Sequence, residues 1–244
     1  MPKSKPKILC LHGAGSNNDI TSFQMQGLQL ASHFECVYLH APHMSKQCHL
    51  GLDSFAEGPW YLWADRVKSL SDQEDQWEES LEYIAKFCKK NGPFLGVYAF
   101  SQGAAIITNF SHPKIWKERF RMTQCPWKFA ILACSGDKHN MTIGRDTTIN
   151  MPSFHIFGKK DRLLVKSKEV AQYWDSSGKV THTHEGGHGI DVQMHTREKE
   201  MMKKLNDFVG ERLSSSKGLG GIFSNLSVPE FFLLGYSFGG SSSK

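Results

Sequence analysis

The six cysteines, Cys10, Cys36, Cys48, Cys88, Cys125 and Cys134, include no C-x-x-C pair, and several fall in stretches that read as strands or helices. A thiol placed there packs as a small apolar group, so free thiols and a reducing, cytoplasmic compartment are expected. No basic run is interleaved with aromatics. The formal charge of +5 comes from scattered Lys and Arg, which excludes a nucleic-acid groove as the organising feature. No segment approaches the length of a membrane span, and the apolar stretch behind the opening MPKSKPK is too short for a signal-peptide core.

The 244 residues, 39% of them hydrophobic, suffice for one good-sized core. One domain over 1–213 is expected, followed by a tail over 214–244 that turns to Gly and Ser and reads as poorly ordered. The organising stretch is Gly92 to Phe110, GPFLGVYAFSQGAAIITNF. An apolar run, a serine among small residues and a helix-like segment give a strand, a sharp turn and a helix. That order lifts a serine hydroxyl clear of a sheet, at the expense of strained backbone angles at the serine. Small neighbours are then required for steric reasons, here Ala99 and Gly103, although the commoner pattern has Gly in the first place. Gly235-Tyr236-Ser237-Phe238-Gly239 matches the letters G-x-S-x-G better. No helix, Asp or His follows Ser237, so it lacks what a nucleophilic serine needs downstream.

Upstream, Lys7 to His12 reads as a strand buried on both faces, and it runs into Gly13-Ala14-Gly15-Ser16. Backbone amides in such a loop can turn toward a developing negative charge, so the amides of Ala14 and Gln102 are paired as an oxyanion hole. His12 precedes the serine and is expected to hold this loop rather than act as a base. A helix over Asp19 to Ser32 and a strand over Phe34 to Leu39 set a βαβ rhythm that breaks from Ala41 to about Asp75. Long loops in compact domains are often functional, so Trp60, Tyr61 and Trp63 are candidates for the substrate pocket, with packed loop aromatics as the alternative. Gln76 to Lys90 is an amphipathic helix, and Lys128 to Cys134 and Ser153 to Gly158 are further strands.

Loops at the carboxyl ends of parallel strands carry the working residues of open α/β sheets. Asp161 lies just past one such end and is the expected acid, with Asp137 as the alternative. After a helix over Lys166 to Trp174 and a strand over Val180 to Thr183 comes His184-Glu185-Gly186-Gly187-His188-Gly189. The letters H-E-x-x-H resemble a zinc signature, which requires both histidines on one helix. Two glycines inside that turn would cost it roughly 2 kcal/mol, so no metal or other cofactor is expected. His188 is instead the expected base, with His182 and His184 as alternatives. His195 to Leu213 closes the domain as an amphipathic helix.

Four blocks in this order, ILCLHGAGSN, Phe100 to Ala104, Gly158 to Asp161 and Glu185 to Gly189, resemble the family of serine hydrolases (FSH) of fungi and animals. The resemblance covers about residues 7 to 212. It implies an α/β-hydrolase fold with a mostly parallel sheet, a Ser101, Asp161 and His188 triad, and hydrolysis of short acyl esters or thioesters. It also implies, in fungi, a place beside a polyketide synthase. An acyl carrier protein would then be a partner, and Lys114, Lys117, Arg119 and Arg121 could meet its acidic surface. A general carboxylesterase and a non-catalytic acyl-binding module are the competing readings.

Overall fold

The computed structural model of the chain describes residues 4–49, 51–136, 143–144 and 148–219. Contacts divide it into two units, Met1–Phe208 and Val209–Lys244. Of the second, the described residues, 209–219, are helical.

The first unit is built on a six-stranded sheet of β1 (Lys7–Leu11), β2 (Glu35–Leu39), β5 (Gly96–Phe100), β6 (Ala130–Ala133), β7 (Ser153–Gly158) and β8 (Lys179–His184). Their order is β2-β1-β5-β6-β7-β8, and every pairing is parallel. The central strands are short apolar runs because both of their faces are covered. On one face, Leu9 and Leu11, Val97 and Ala99, and Ala130 and Leu132 share a core with α2 (Leu70–Asn91) and α3 (Gln102–Ser111). On the other, Tyr98 meets Gln24 of α1 (Asn18–Gly27), and Phe154 packs edge-on against Phe208 of the closing helix α6 (Lys199–Leu219). Helices on both faces of a parallel sheet make this a three-layered α/β fold, the architecture that the expected α/β-hydrolase fold requires.

Local chemistry sets the element ends. Asn17 caps α1 by accepting from the Ile20 amide at 3.1 Å. Ser69 caps α2 through the Asp72 amide at 3.2 Å, so that helix begins six residues before the amphipathic pattern becomes visible at Gln76. The break in rhythm over 41–75 contains a small antiparallel hairpin, β3 (His43–Ser45) with β4 (Trp60–Leu62). The helix expected over Asp19 to Ser32 divides at Gln29, whose φ is 54°. α4 (Leu164–Ala171) and the one-turn α5 (Met194–Arg197) are the remaining α-helices among the described residues, and a single π-helical turn spans Lys114–Arg119. The closing helix, expected to stop at Leu213, continues to Leu219. Residues 220–244, with Ser237, lie outside the described residues, as does Asp137.

Candidate active site

β5 ends at Phe100 and α3 begins at Gln102, leaving Ser101 to make the turn alone at φ 52° and ψ −118°. Such angles cost a non-glycine residue on the order of 1–3 kcal/mol and persist only where neighbours enforce them. The enforcement is on both sides. The Ser101 amide donates to the Ala133 carbonyl at 2.9 Å, and its own carbonyl accepts from Gly136 at 2.7 Å and Ala104 at 3.0 Å. A side chain at Gly103 would strike the His12 carbonyl, so a glycine here is a steric condition for the turn. Ala99, in the place where glycine is commoner, is fully buried between Leu11 of β1 and Leu132 of β6.

Two loops from adjacent strand ends bring the other polar groups to this serine. Asp161 follows β7, and His188 follows β8. His188 Nε2 lies 2.9 Å from Ser101 Oγ, and His188 Nδ1 lies 2.8 Å from Asp161 Oδ2. The carboxylate can only accept, so Nδ1 carries the proton and Nε2 is left to accept from the serine hydroxyl. Asp161 Oδ1 is held by the Leu163 amide at 2.7 Å. Burial pushes the Asp161 carboxyl up, but hydrogen bonds from His188, the Leu163 amide and the Cys134 thiol outweigh it and hold it below its usual range. Cys134, at φ 45°, is itself fully buried. Burial first, and then the Asp161 charge, push its thiol up, so it remains a donor. The rings of Phe100 and His49 flank His188 with centroids at 5.1 and 5.9 Å.

The Gln102 amide, at the first position of α3, has no intrahelical acceptor, and Ala14 lies with Ser101 on the wall of one cavity. His12 is 1% exposed and both of its ring nitrogens are spent on backbone. Nδ1 donates to the Gly13 carbonyl at 2.6 Å and Nε2 accepts from Ala41 at 2.9 Å. Burial disfavours its cation and lowers its pKa to about 4. The histidine therefore fixes the loop as neutral imidazole.

The aromatic trio is placed differently from the sequence expectation. Trp60, Tyr61 and Trp63 do not line the cavity at Ser101. Trp63 is fully buried: its indole N–H donates to the His12 carbonyl at 2.9 Å and its amide to Gln102 Oε1 at 2.8 Å. Gln102 Nε2 in turn donates to the Ala64 carbonyl at 2.7 Å. Trp63 thus ties the loop after β1 to the start of α3, and its hydrogen-bonding groups are consumed in doing so. The cavity, about 580 Å³, is walled instead by Ile20 and Phe23 of α1, Leu52 and Phe55, Phe100, and Ile190. These residues come from four separated segments, and apart from Phe100, which adjoins the serine, only the apolar spacing of Phe23 and the aromatic Phe55 gave any sign of them.

His184 ends β8 and His188 lies in the loop beyond, so the two do not share a helix and the H-E-x-x-H letters do not form the zinc motif. His184 Nδ1 accepts from the Gly186 amide at 3.1 Å, and His182 Nε2 is 3.7 Å from Glu198. Neither meets Ser101. Among the described residues, the donors close enough to share a cation are Cys134, Asp161 and His188, whose ligand atoms lie within 4.8 Å of one another. Two of these are the groups already hydrogen-bonded in line with Ser101.

A family model described as Serine hydrolase (FSH1) matches residues 1–199. The chain is 30% identical to Esterase FUS5 of Gibberella fujikuroi, over 69% of this chain and 72% of that protein. It is 30% identical to Esterase FPY3 of Fusarium mangiferae (75% and 88% covered) and 26% identical to Esterase OVCA2 of Danio rerio (75% and 89% covered). Among solved structures, an esterase of Pyrobaculum calidifontis superposes with a TM-score of 0.55 at 12% identity, covering 88% of this chain and 78% of that one. Arabidopsis thaliana SOBER1 superposes with 0.52 at 15% identity, covering 83% and 99%. At these identities the structural likenesses speak to the fold alone.

Proposed function

The chain belongs to the serine hydrolase (FSH1) family, and from that premise we propose that Ser101, His188 and Asp161 are its catalytic triad. The observation that carries this reading is the unbroken relay from Ser101 Oγ through His188 to Asp161, with contacts of 2.9 and 2.8 Å. In it, Ser101 attacks the acyl carbonyl while His188 Nε2 takes its proton. Asp161 holds the imidazole and stabilises the cation that forms, and the Ala14 and Gln102 amides receive the oxyanion. His188 then returns the proton to the leaving alcohol or thiol. Water enters by the same route, and the acyl-enzyme is hydrolysed. No cofactor is needed for any step.

The substrate in this reading is a small ester or thioester whose apolar part lies in the cavity beside Ser101. A role in a fungal secondary-metabolite pathway is the finer part of the proposal, supported by the resemblance to the two Fusarium-group esterases. A carrier-protein partner finds less support. The basic turn over Lys114–Arg119 lies beyond the far end of α3 from Ser101, and Arg119 is paired with Glu78 and Glu82.

The test is covalent labelling together with turnover. A fluorophosphonate probe should mark Ser101, and the Ser101→Ala protein should neither label nor cleave short p-nitrophenyl esters. A Ser101→Ala protein that labels as wild type does, or a wild type no faster than that variant while still binding acyl ligands, would end the reading. The pathway part is decided separately, by metabolite profiles of a host lacking the gene.

A further inference from the structure

One polar side chain interrupts the apolar wall of the cavity. Ile20, Phe23 and Gln24 stand three and four residues apart on α1 and so present one helix face, and all three line the space beside Ser101. Gln24 is 3% exposed, and a primary amide buried to that degree needs partners for both of its ends. Only one end has a partner. Tyr98, fully buried on β5, donates its hydroxyl proton to Gln24 Oε1 at 3.0 Å. Tyr98 has no other side-chain hydrogen bond among the described residues, so its single proton has to go to the amide oxygen. That settles which end of the amide is which.

The Nε2 group is therefore turned away from Tyr98 and carries two N–H donors with no acceptor among the described residues. It is also absent from the polar atoms that are both fully enclosed and without a partner, so it has open space before it. Gln24 lines the cavity beside Ser101, which is the open space on this side of the helix. Tyr98 precedes Ser101 by three residues, a rise of about 10 Å along the strand, so the Gln24 amide it holds is set back from the reacting centre. The donor is thus set several bonds away from where an acyl carbonyl would sit.

We infer that Gln24 Nε2 is a specificity-determining donor for an uncharged oxygen acceptor, such as a keto, ether or hydroxyl oxygen, carried by the substrate several bonds from the scissile carbonyl. Oxygenated esters, rather than plain alkyl esters of the same length, are then the preferred class. A carboxylate in that position is disfavoured because the cation on the cavity wall, Arg197, is already held by Asp191 at 2.6 Å. This inference rests on the serine hydrolase reading of the same site.

The experiment uses p-nitrophenyl esters of one chain length, one of them plain and the others bearing a keto or ether oxygen at successive positions. Wild type is expected to prefer one oxygen position over the plain ester by about tenfold in kcat/KM. Gln24→Glu keeps an acceptor for Tyr98 but presents oxygen where the donor was, and it should abolish that preference. A Gln24→Met, Tyr98→Phe double variant removes both halves of the pair together and should do the same, which covers the case in which one variant fails to fold. A wild type without preference for any oxygen position, or a preference that survives in a folded variant, overturns the assignment. Fluorophosphonate labelling of Ser101 separates the two readings. If wild type labels at Ser101 but shows no oxygen preference, only the role of Gln24 falls, whereas loss of Ser101 labelling specificity brings down the triad first.

Discussion

His12 and His188 occupy equivalent places, each in a glycine-rich loop just beyond the carboxyl end of a parallel strand. Their surroundings divide their work. Every hydrogen bond of the His12 ring is made to backbone, at Gly13 and Ala41, so that ring is part of the scaffold. The ring of His188 bonds only to side chains, Ser101 and Asp161, which can gain and lose a proton. Strand-end position alone does not make a histidine catalytic; what its two nitrogens face does.

The sharpest break in this comparison is to remove each ring. On the proposed triad, His188→Ala should lower kcat by about 10⁶-fold while leaving the urea midpoint close to wild type. If His12→Ala proves the more damaging to kcat at equal folded fraction, the division of labour is wrong.

A pH titration of stability sharpens the contrast next. The folded protein refuses a proton at His12 until about pH 4, whereas the unfolded chain accepts it near the ordinary histidine value of 6.5. The unfolded state therefore binds more protons in that window, so stability is full above it and falls as pH is lowered through it. For His12 the loss approaches about 3 kcal/mol at the bottom of the window. Buried His155, lowered to about 3, adds to the same trend. Urea unfolding at a series of pH values should show the decline, and a His12→Gln variant should flatten it. A variant with an unchanged slope would show that His12 is not the group responsible.

A smaller effect is expected where the two regions are joined. Trp63→Phe keeps the ring but loses the donor to the His12 carbonyl, loosening the loop that carries Ala14. kcat should fall about tenfold with KM little changed, since the amide proposed as an oxyanion donor is slackened rather than removed. A rise in KM alone would return Trp63 to the substrate pocket. Smallest of all, Cys134→Ala removes one of the donors to Asp161 and should lower kcat only about threefold, because His188 and the Leu163 amide remain.

These contrasts also mark what could be read from the sequence. The strand, turn and helix around Ser101 were legible because the strain there demands small neighbours within two residues, a local requirement. Asp161 and His188 could be nominated because strand ends are visible as the ends of apolar runs, but their meeting depends on β7 and β8 being neighbours, which only the fold supplies. The cavity wall was not legible. It is assembled from α1, residues 52–55 and the loop around Ile190, and no local pattern records that these converge. Trp63 shows the opposite failure: an aromatic among aromatics suggests a pocket, while its indole and its amide are spent on the His12 carbonyl and the Gln102 side chain. The start of α2 escaped notice because its first turn is polar and lacks the apolar spacing that reveals the rest.

The contact between α1 and the loop carrying His188 has a consequence for anyone reshaping this protein. Any side chain at Gly27 would collide with the Asp191 carbonyl and push aside the segment that follows His188, whereas changes at Ile20 and Phe23 on the same helix face only empty the cavity or fill it. Gln24 stands between the two cases, because it also satisfies the buried Tyr98 hydroxyl. A mutant library built on α1 should therefore hold position 27 constant, randomise 20 and 23, and keep at 24 a side chain that can accept from Tyr98.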